Sequence, residues 1–249
     1  MIHDQVQTIA HSLRLFGIHA AFKRRAEEAL AKSLHPLEFL RLLLEDEQLN
    51  RAERIGKMLI TKAKFRSHAD LEDWDQTFER GLPKPKFKEL LCLSFLAHHE
   101  NIILLGKTGE GKTHLAIALG RRLCTEGFSS AFLPMNFFFE EIQAEKAAGR
   151  YLPYLRKLVK AKVLILDDFG LRAYSHEEAT ALMDLLEERY QKGSTIVTSQ
   201  TDPKGWEKLF EDPVIAEAIV DRLVNPSQKI TLKGGSYREK IHQKINHSH

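Results

Sequence analysis

Two cysteines, Cys92 and Cys124, stand far apart with no C-x-x-C spacing, so the chain specifies neither a disulfide framework nor a thiolate metal site. Isolated thiols suit a reducing compartment, and burial is the expected fate of both. No apolar run is long enough to cross a bilayer, and the amino terminus lacks a secretion-signal pattern, so a cytoplasmic protein without membrane contact is expected. The 12 histidines form no spaced ligand cluster; His242, His247 and His249 read as a basic tail. Internal repeats, zinc-finger spacings, glycine-rich RNA motifs and aromatic stacking platforms are also missing. Any nucleic-acid contact must then depend on backbone and shape. Net charge is only +3, so basicity has to be sought locally.

What is present is a complete phosphate-binding loop. Gly106-Lys107-Thr108-Gly109-Glu110-Gly111-Lys112-Thr113 has Walker A spacing, with an apolar strand (101–105) before it and a helix (114–123) after it. The glycines let backbone N–H groups wrap an anion, and the opening turn of the helix, from His114, adds unpaired N–H groups. Lys112 is placed to reach the β and γ phosphates, and the Thr113 hydroxyl to ligate Mg²⁺. Lys107 and Glu110 have no assigned phosphate contact, so little effect on binding is expected from either.

A metal-organising acid is expected at the end of a buried strand, and residues 163–168 (Val-Leu-Ile-Leu-Asp-Asp) supply one. Asp167 is the candidate for the metal shell and Asp168 for orienting or deprotonating the attacking water. Residues 194–199 form a further strand running into Gln200, the first candidate to sense the γ-phosphate, with Thr198 the second. Between these strands, 177–190 reads as an amphipathic crossover helix, with Ser175 and Glu178 at capping-box spacing. A strand at 130–133, a helix at 136–146 with three consecutive phenylalanines, and a last strand at 228–232 complete a sheet of about five parallel strands. The ligand belongs beyond their carboxyl ends.

The first hundred residues read as helical. Leu13, Phe16, Ala20 and Leu30, then Leu37, Leu40, Leu43 and Leu44, are expected to form its apolar face, with Pro36 opening a second helix and 49–63 a third. Arg51, Arg54, Lys57, Lys62, Lys64 and Arg66 face only Glu53 in that stretch. Lys23-Arg24-Arg25 and, in the sheet domain, Arg150, Arg156, Lys157 and Lys160 are further basic patches suited to DNA phosphates. The expected organisation is a helical DNA- or partner-binding domain (1–66), a linker (67–86) carrying Trp74 and Phe78 as packing residues, and the sheet domain (87–249).

Arg222, in a helix over 216–224, and Arg238, after Gly234-Gly235, are candidates to stabilise charge on a transferring phosphoryl group. The spacing leaves open whether either acts in its own chain or a neighbour's. With these residues in place, the chain resembles the IstB-like ATPases, helpers of insertion-sequence transposases within the AAA+ superfamily and close to DnaC-type helicase loaders. The segments that carry the resemblance are 101–116, 163–170, 193–200, 218–224 and 235–238.

The resemblance implies an α/β P-loop NTPase of AAA+ type behind a small all-helical domain. It implies Gln200 at the sensor 1 position, Arg222 as a finger across a subunit interface, and Arg238 as the sensor 2 arginine. It further implies ATP and Mg²⁺ as cofactors, self-association into a ring or spiral, double-stranded DNA and a cognate transposase as partners, and DNA transposition as the process. A helicase loader, a small-molecule P-loop kinase and a non-hydrolysing scaffold are the alternatives. Little chain follows Arg238, less than the helical lid of many AAA+ proteins needs.

Overall fold

The computed structural model describes residues 2–75 and 81–236. The chain divides into two compact units: residues through Met58 together with Thr125–Gly127, and the remainder from Leu59.

The first unit is helical, with α1 (Ile2–Ser12), α2 (Phe16–Lys32) and most of α3 (Pro36–Ala63). The stretch expected to form two helices is one, with Pro36 at its start, because nothing between 44 and 49 interrupts helical propensity. α2 and α3 meet at Gly17, where a Cβ would stand 2.5 Å from Asp46 O and Glu47 Cα. The buried Glu47 carboxylate accepts N–H bonds from Gly17 (2.7 Å) and Ile18 (3.2 Å), capping the N-terminus of α2. Burial opposes its ionised form, but Arg51 and these N–H groups outweigh that and hold its pKa below the ordinary carboxylate value.

The core of this unit is Ala10, Ile18, Phe22 and Leu43. Of the apolar face expected from periodicity only Leu43 is buried, whereas Leu13, Leu30, Leu37, Leu40 and Leu44 are exposed. α3 carries two apolar stripes, and three helices cover only the one containing Phe39 and Leu43.

The second unit is a five-stranded parallel sheet in the order β2-β3-β4-β1-β5, formed by β1 (Asn101–Leu105), β2 (Ser130–Pro134), β3 (Val163–Phe169), β4 (Ser194–Ser199) and β5 (Ser227–Thr231). β1 and β4 are buried along their whole length, as expected of central parallel strands covered on both faces. Helices α4 (Lys84–Leu91), α5 (Lys112–Thr125), α6 (Met135–Ala147), α7 (Tyr151–Val159), α8 (His176–Arg189) and α9 (Pro213–Val224) flank it. The capping box of Ser175 and Glu178 is present at α8. Of the three phenylalanines of α6, Phe138 and Phe139 are buried and Phe137 is exposed.

The segment expected as a linker is largely part of this unit. Ala69, Leu71 and Trp74 lie in the same core cluster as Phe87 and β1, Trp74 stacks on Phe87, and Asp70 accepts from Arg121 at 2.8 Å. Phe78 is outside the described residues. Cys124 is buried, as expected, but Cys92 is exposed. No described helix is long and apolar enough to cross a membrane.

Candidate nucleotide and metal site

The loop 106–113 connects the carboxyl end of β1 to α5, which begins at Lys112. Its glycines are set by crowding as well as conformation. A Cβ on Gly106 would stand 2.5 Å from Glu110 Oε2, and one on Gly109 the same distance from Ser236 Oγ, both at positive φ. The Glu110 carboxylate, buried beside the loop, accepts the Lys107 N–H at 2.5 Å, while Lys112 Nζ donates to Lys107 O at 2.9 Å. Glu110 therefore shapes the loop, which the sequence reading did not assign to it. Thr108 Oγ1 donates to Gln200 Oε1 at 3.0 Å, so the first sensor candidate lies against the loop itself. The His114 ring lies 6.1 Å from that of Trp74.

Thr113, Asp167 and Thr198 form one connected cluster. Asp167 Oδ1 accepts from Thr113 Oγ1 and from Thr198 Oγ1, both at 2.7 Å, and Thr198 Oγ1 in turn accepts the Asp168 N–H at 2.9 Å. Thr198 thus positions the two acids, while Gln200 faces the loop. The pairing of β3 with β4 shifts register between Leu166 and Phe169, and Asp168 adopts φ 60°, which breaks strict strand alternation at the two acids.

Asp167 is fully buried, and burial pushes its carboxyl above the ordinary value against the opposing pull of Thr113, Thr198 and Arg66. Asp167 Oδ2 accepts no hydrogen bond but lies 3.0 Å from Arg66 Nη2. A hydroxyl and carboxylate oxygens, one of them lacking a hydrogen-bond donor, make a donor set suited to a small hard cation. Arg66 was read as a DNA contact; here its Nη2 also donates to Thr113 Oγ1 at 3.2 Å, and its Nη1 lies 3.7 Å from Asp168 Oδ2.

Arg222 lies at the other end of the sheet. Asn101, first residue of β1, donates through Nδ2 to Arg222 O (2.9 Å) and Leu223 O (3.2 Å), and its Oδ1 accepts the Thr195 N–H at 2.8 Å. The phosphate loop leaves the opposite end of the same strand, about 16 Å away for five residues of β structure. The Arg222 side chain pairs with Glu187 and lies over Tyr190, beside a cleft of about 370 Å³ also lined by His98, His99 and Arg189. Arg238 and Tyr237 are outside the described residues, although Ser236 reaches Gly109.

The family model for IstB-like ATP-binding proteins matches residues 8–245. The chain belongs to this family. It is 38% identical over 240 residues, 96% of this chain and 91% of the relative, to a protein described as an ATP-binding protein of insertion sequence IS21 from Pseudomonas aeruginosa. A Geobacillus stearothermophilus counterpart from IS5376 is 31% identical, with 94% of each chain covered. Among solved structures, the DnaC helicase loader superposes with a TM-score of 0.55 at 18% identity over 66% of this chain and 97% of that one. AMPPCP-bound DnaA from Aquifex aeolicus gives 0.57 at 18% over 74% and 56%. These likenesses show that the sheet unit shares its fold with DnaC and DnaA.

In this IstB-like chain the predicted DNA residues are unequally available. Arg25 is bound to Asp46 and Glu28, Arg24 approaches Asp46 at 3.6 Å, and Arg51, Lys57 and Arg150 pair with Glu47, Glu53 and Glu145. Arg54 lies over the Phe16 ring. Lys23 and Arg156 are exposed. Lys62, Lys64, Lys157 and Lys160, from two patches far apart in sequence, line one groove of about 260 Å³ over Leu59, Phe132 and Leu158. Lys64 lies 3.8 Å from Glu141 there.

Asn101, the loop-shaping contact of Glu110 and the contacts of Arg66 with Thr113, Asp167 and Asp168 are the features of the site that the sequence does not announce. A polar residue heading the apolar run 102–105 was the available signal for Asn101. The other two depend on contacts that spacing does not encode. His68, Asp70 and Asp73 also bring ligand atoms within 4.8 Å of one another, but on the surface, with Asp70 already engaged by Arg121.

Proposed function

We propose that this chain is a Mg²⁺-dependent ATPase that assembles on double-stranded DNA and recruits or activates a transposase during transposition. The observation that carries the reading is the Thr113–Asp167–Thr198–Asp168 cluster beside a complete phosphate loop, in a chain of the IstB-like family. Relatives described as insertion-sequence ATP-binding proteins supply the transposition context.

In this reading the loop N–H groups and Lys112 bind the triphosphate, and Thr113 and Asp167 hold the metal. Bound Mg²⁺ would draw negative charge from the β and γ oxygens. Asp168, partly exposed beside the buried Asp167, orients the attacking water and takes its proton. Gln200, already against the loop, reports the γ-phosphate. Arg222 is about 16 Å of strand from its own loop and so acts on a neighbour's triphosphate, with Glu187 as the partner it must give up. Arg238 supports the triphosphate from the carboxyl-terminal segment. The four lysines of the groove at 62, 64, 157 and 160 bind duplex phosphates, and the other basic patches are further candidates for phosphate contacts.

Size-resolved binding to duplex and single-stranded DNA with ATP, ADP or no nucleotide tests this. ATP-dependent assembly on duplex is expected. Nucleotide-independent duplex binding would remove the proposed switch. A preference for single strands with stable capture of a hexameric helicase would favour the loader reading that the DnaC fold likeness suggests.

A further inference from the structure

A buried carboxylate without a countercharge is costly, and Arg66 supplies the countercharge of Asp167. Its guanidinium spans both acids, with Nη2 3.0 Å from Asp167 Oδ2 and Nη1 3.7 Å from Asp168 Oδ2, and it donates to Thr113 Oγ1 at 3.2 Å. These are the three side chains assigned to the metal and the attacking water. The fit is incomplete, because Asp167 Oδ2 still accepts no hydrogen bond. Arg66 is also 42% exposed and follows the end of α3 by three residues, so it enters from solvent and is free to leave.

We propose that Arg66 is a displaceable counter-cation of the metal site. It neutralises the acids in the nucleotide-free protein and excludes divalent ions arriving alone. It yields to Mg²⁺ delivered with a triphosphate, whose oxygens complete the coordination that the guanidinium leaves unmet. The inference rests on the Mg²⁺-ATPase reading above. It also gives the basic segment a nucleotide-dependent charge: on displacement, Arg66 becomes available beside Lys62 and Lys64, in the stretch of chain that lines the lysine groove.

The test is Mn²⁺ binding to the full chain without nucleotide, read by electron paramagnetic resonance, in wild type, Arg66→Gln and Arg66→Lys, with circular dichroism to verify folding. Arg66→Gln is expected to bind Mn²⁺ roughly tenfold more tightly than wild type, since one positive charge is removed from a partly exposed site. Arg66→Lys keeps the charge without the two-pronged fork and is expected to fall between the two. Equal affinities in folded wild type and variants overturn the proposal, and if Arg66→Gln does not fold, a Lys variant no tighter than wild type does so. Binding of a fluorescent ATP analogue in the presence of Mg²⁺ separates the two readings. A wild type that takes no nucleotide refutes the ATPase reading, whereas normal nucleotide binding with unchanged Mn²⁺ affinity refutes only the counter-cation.

Discussion

The helical unit and the sheet unit use apolar residues in opposite ways. In the sheet unit, β1 and β4 are buried from end to end and packed by helices, so a run of apolar residues in the sequence is a core. In the helical unit four buried residues anchor the packing, while Leu37, Leu40 and Leu44 of α3 remain at the surface. Apolar periodicity therefore identifies the interior only where enough elements exist to cover every apolar stripe. Stability should be concentrated in one unit and surface apolar area in the other.

The largest effect that can sharpen this contrast is on chemistry in the sheet unit. Asp168→Asn is expected to lower ATP turnover by about 10²–10⁴-fold while nucleotide binding persists, measured by phosphate release beside a binding titration. Next, Leu164→Ala in β3 should destabilise that unit by about 2–5 kcal/mol. Both tryptophans, Trp74 and Trp206, are buried in the sheet unit, so urea unfolding followed by tryptophan fluorescence reads it selectively.

A smaller effect, about 1–3 kcal/mol, is expected from Glu47→Gln, which leaves the α2 N-terminus with a weaker cap. It should alter far-UV circular dichroism melting with little change in the fluorescence transition; a matching fluorescence shift would break the comparison. Because the folded-state pKa of Glu47 is depressed, its contribution is present above the unfolded value of about 4.3 and is lost as pH falls through the folded one. The melting difference between wild type and Glu47→Gln should shrink accordingly in acid. Least of all, Leu40→Ser with Leu44→Ser should change stability by under about 0.5 kcal/mol, since both leucines are already exposed. A large loss would mean that the stripe is covered in the protein as it exists in solution.

The same contrast explains what could be read in advance. β1, β3 and β4 were legible because each is a short, largely apolar or β-branched run, and β1 and β4 fall on the expected residues; β5, Ser-Gln-Lys-Ile-Thr, is mostly polar and begins one residue before the expected 228–232. Lys112, Thr113, Asp167 and Asp168 were legible because their chemistry is tied to fixed spacing and strand ends. α3 is one helix where the pattern suggests two, because the basic stretch within it marks a solvated face and not a helix end. Residues 69–74 were read as a connector because their acidic side chains hide three buried apolar ones. Arg66 was counted among the phosphate-binding cations because a local charge count cannot anticipate carboxylates a hundred residues away. Glu47 lay just outside the window in which the basic stretch was counted, so Arg51 looked less neutralised than it is.

β1 has the phosphate loop at one end and, through Asn101, the backbone of Arg222 at the other. If each copy lends its arginine to the next, donor and acceptor surfaces lie on different sides of the protomer. Such a joint is heterologous: it leaves one unmatched surface at each end of any short assembly. Where the arginine passes head to tail from copy to copy, growth continues until rotation closes a circle or a helical filament runs out of subunits.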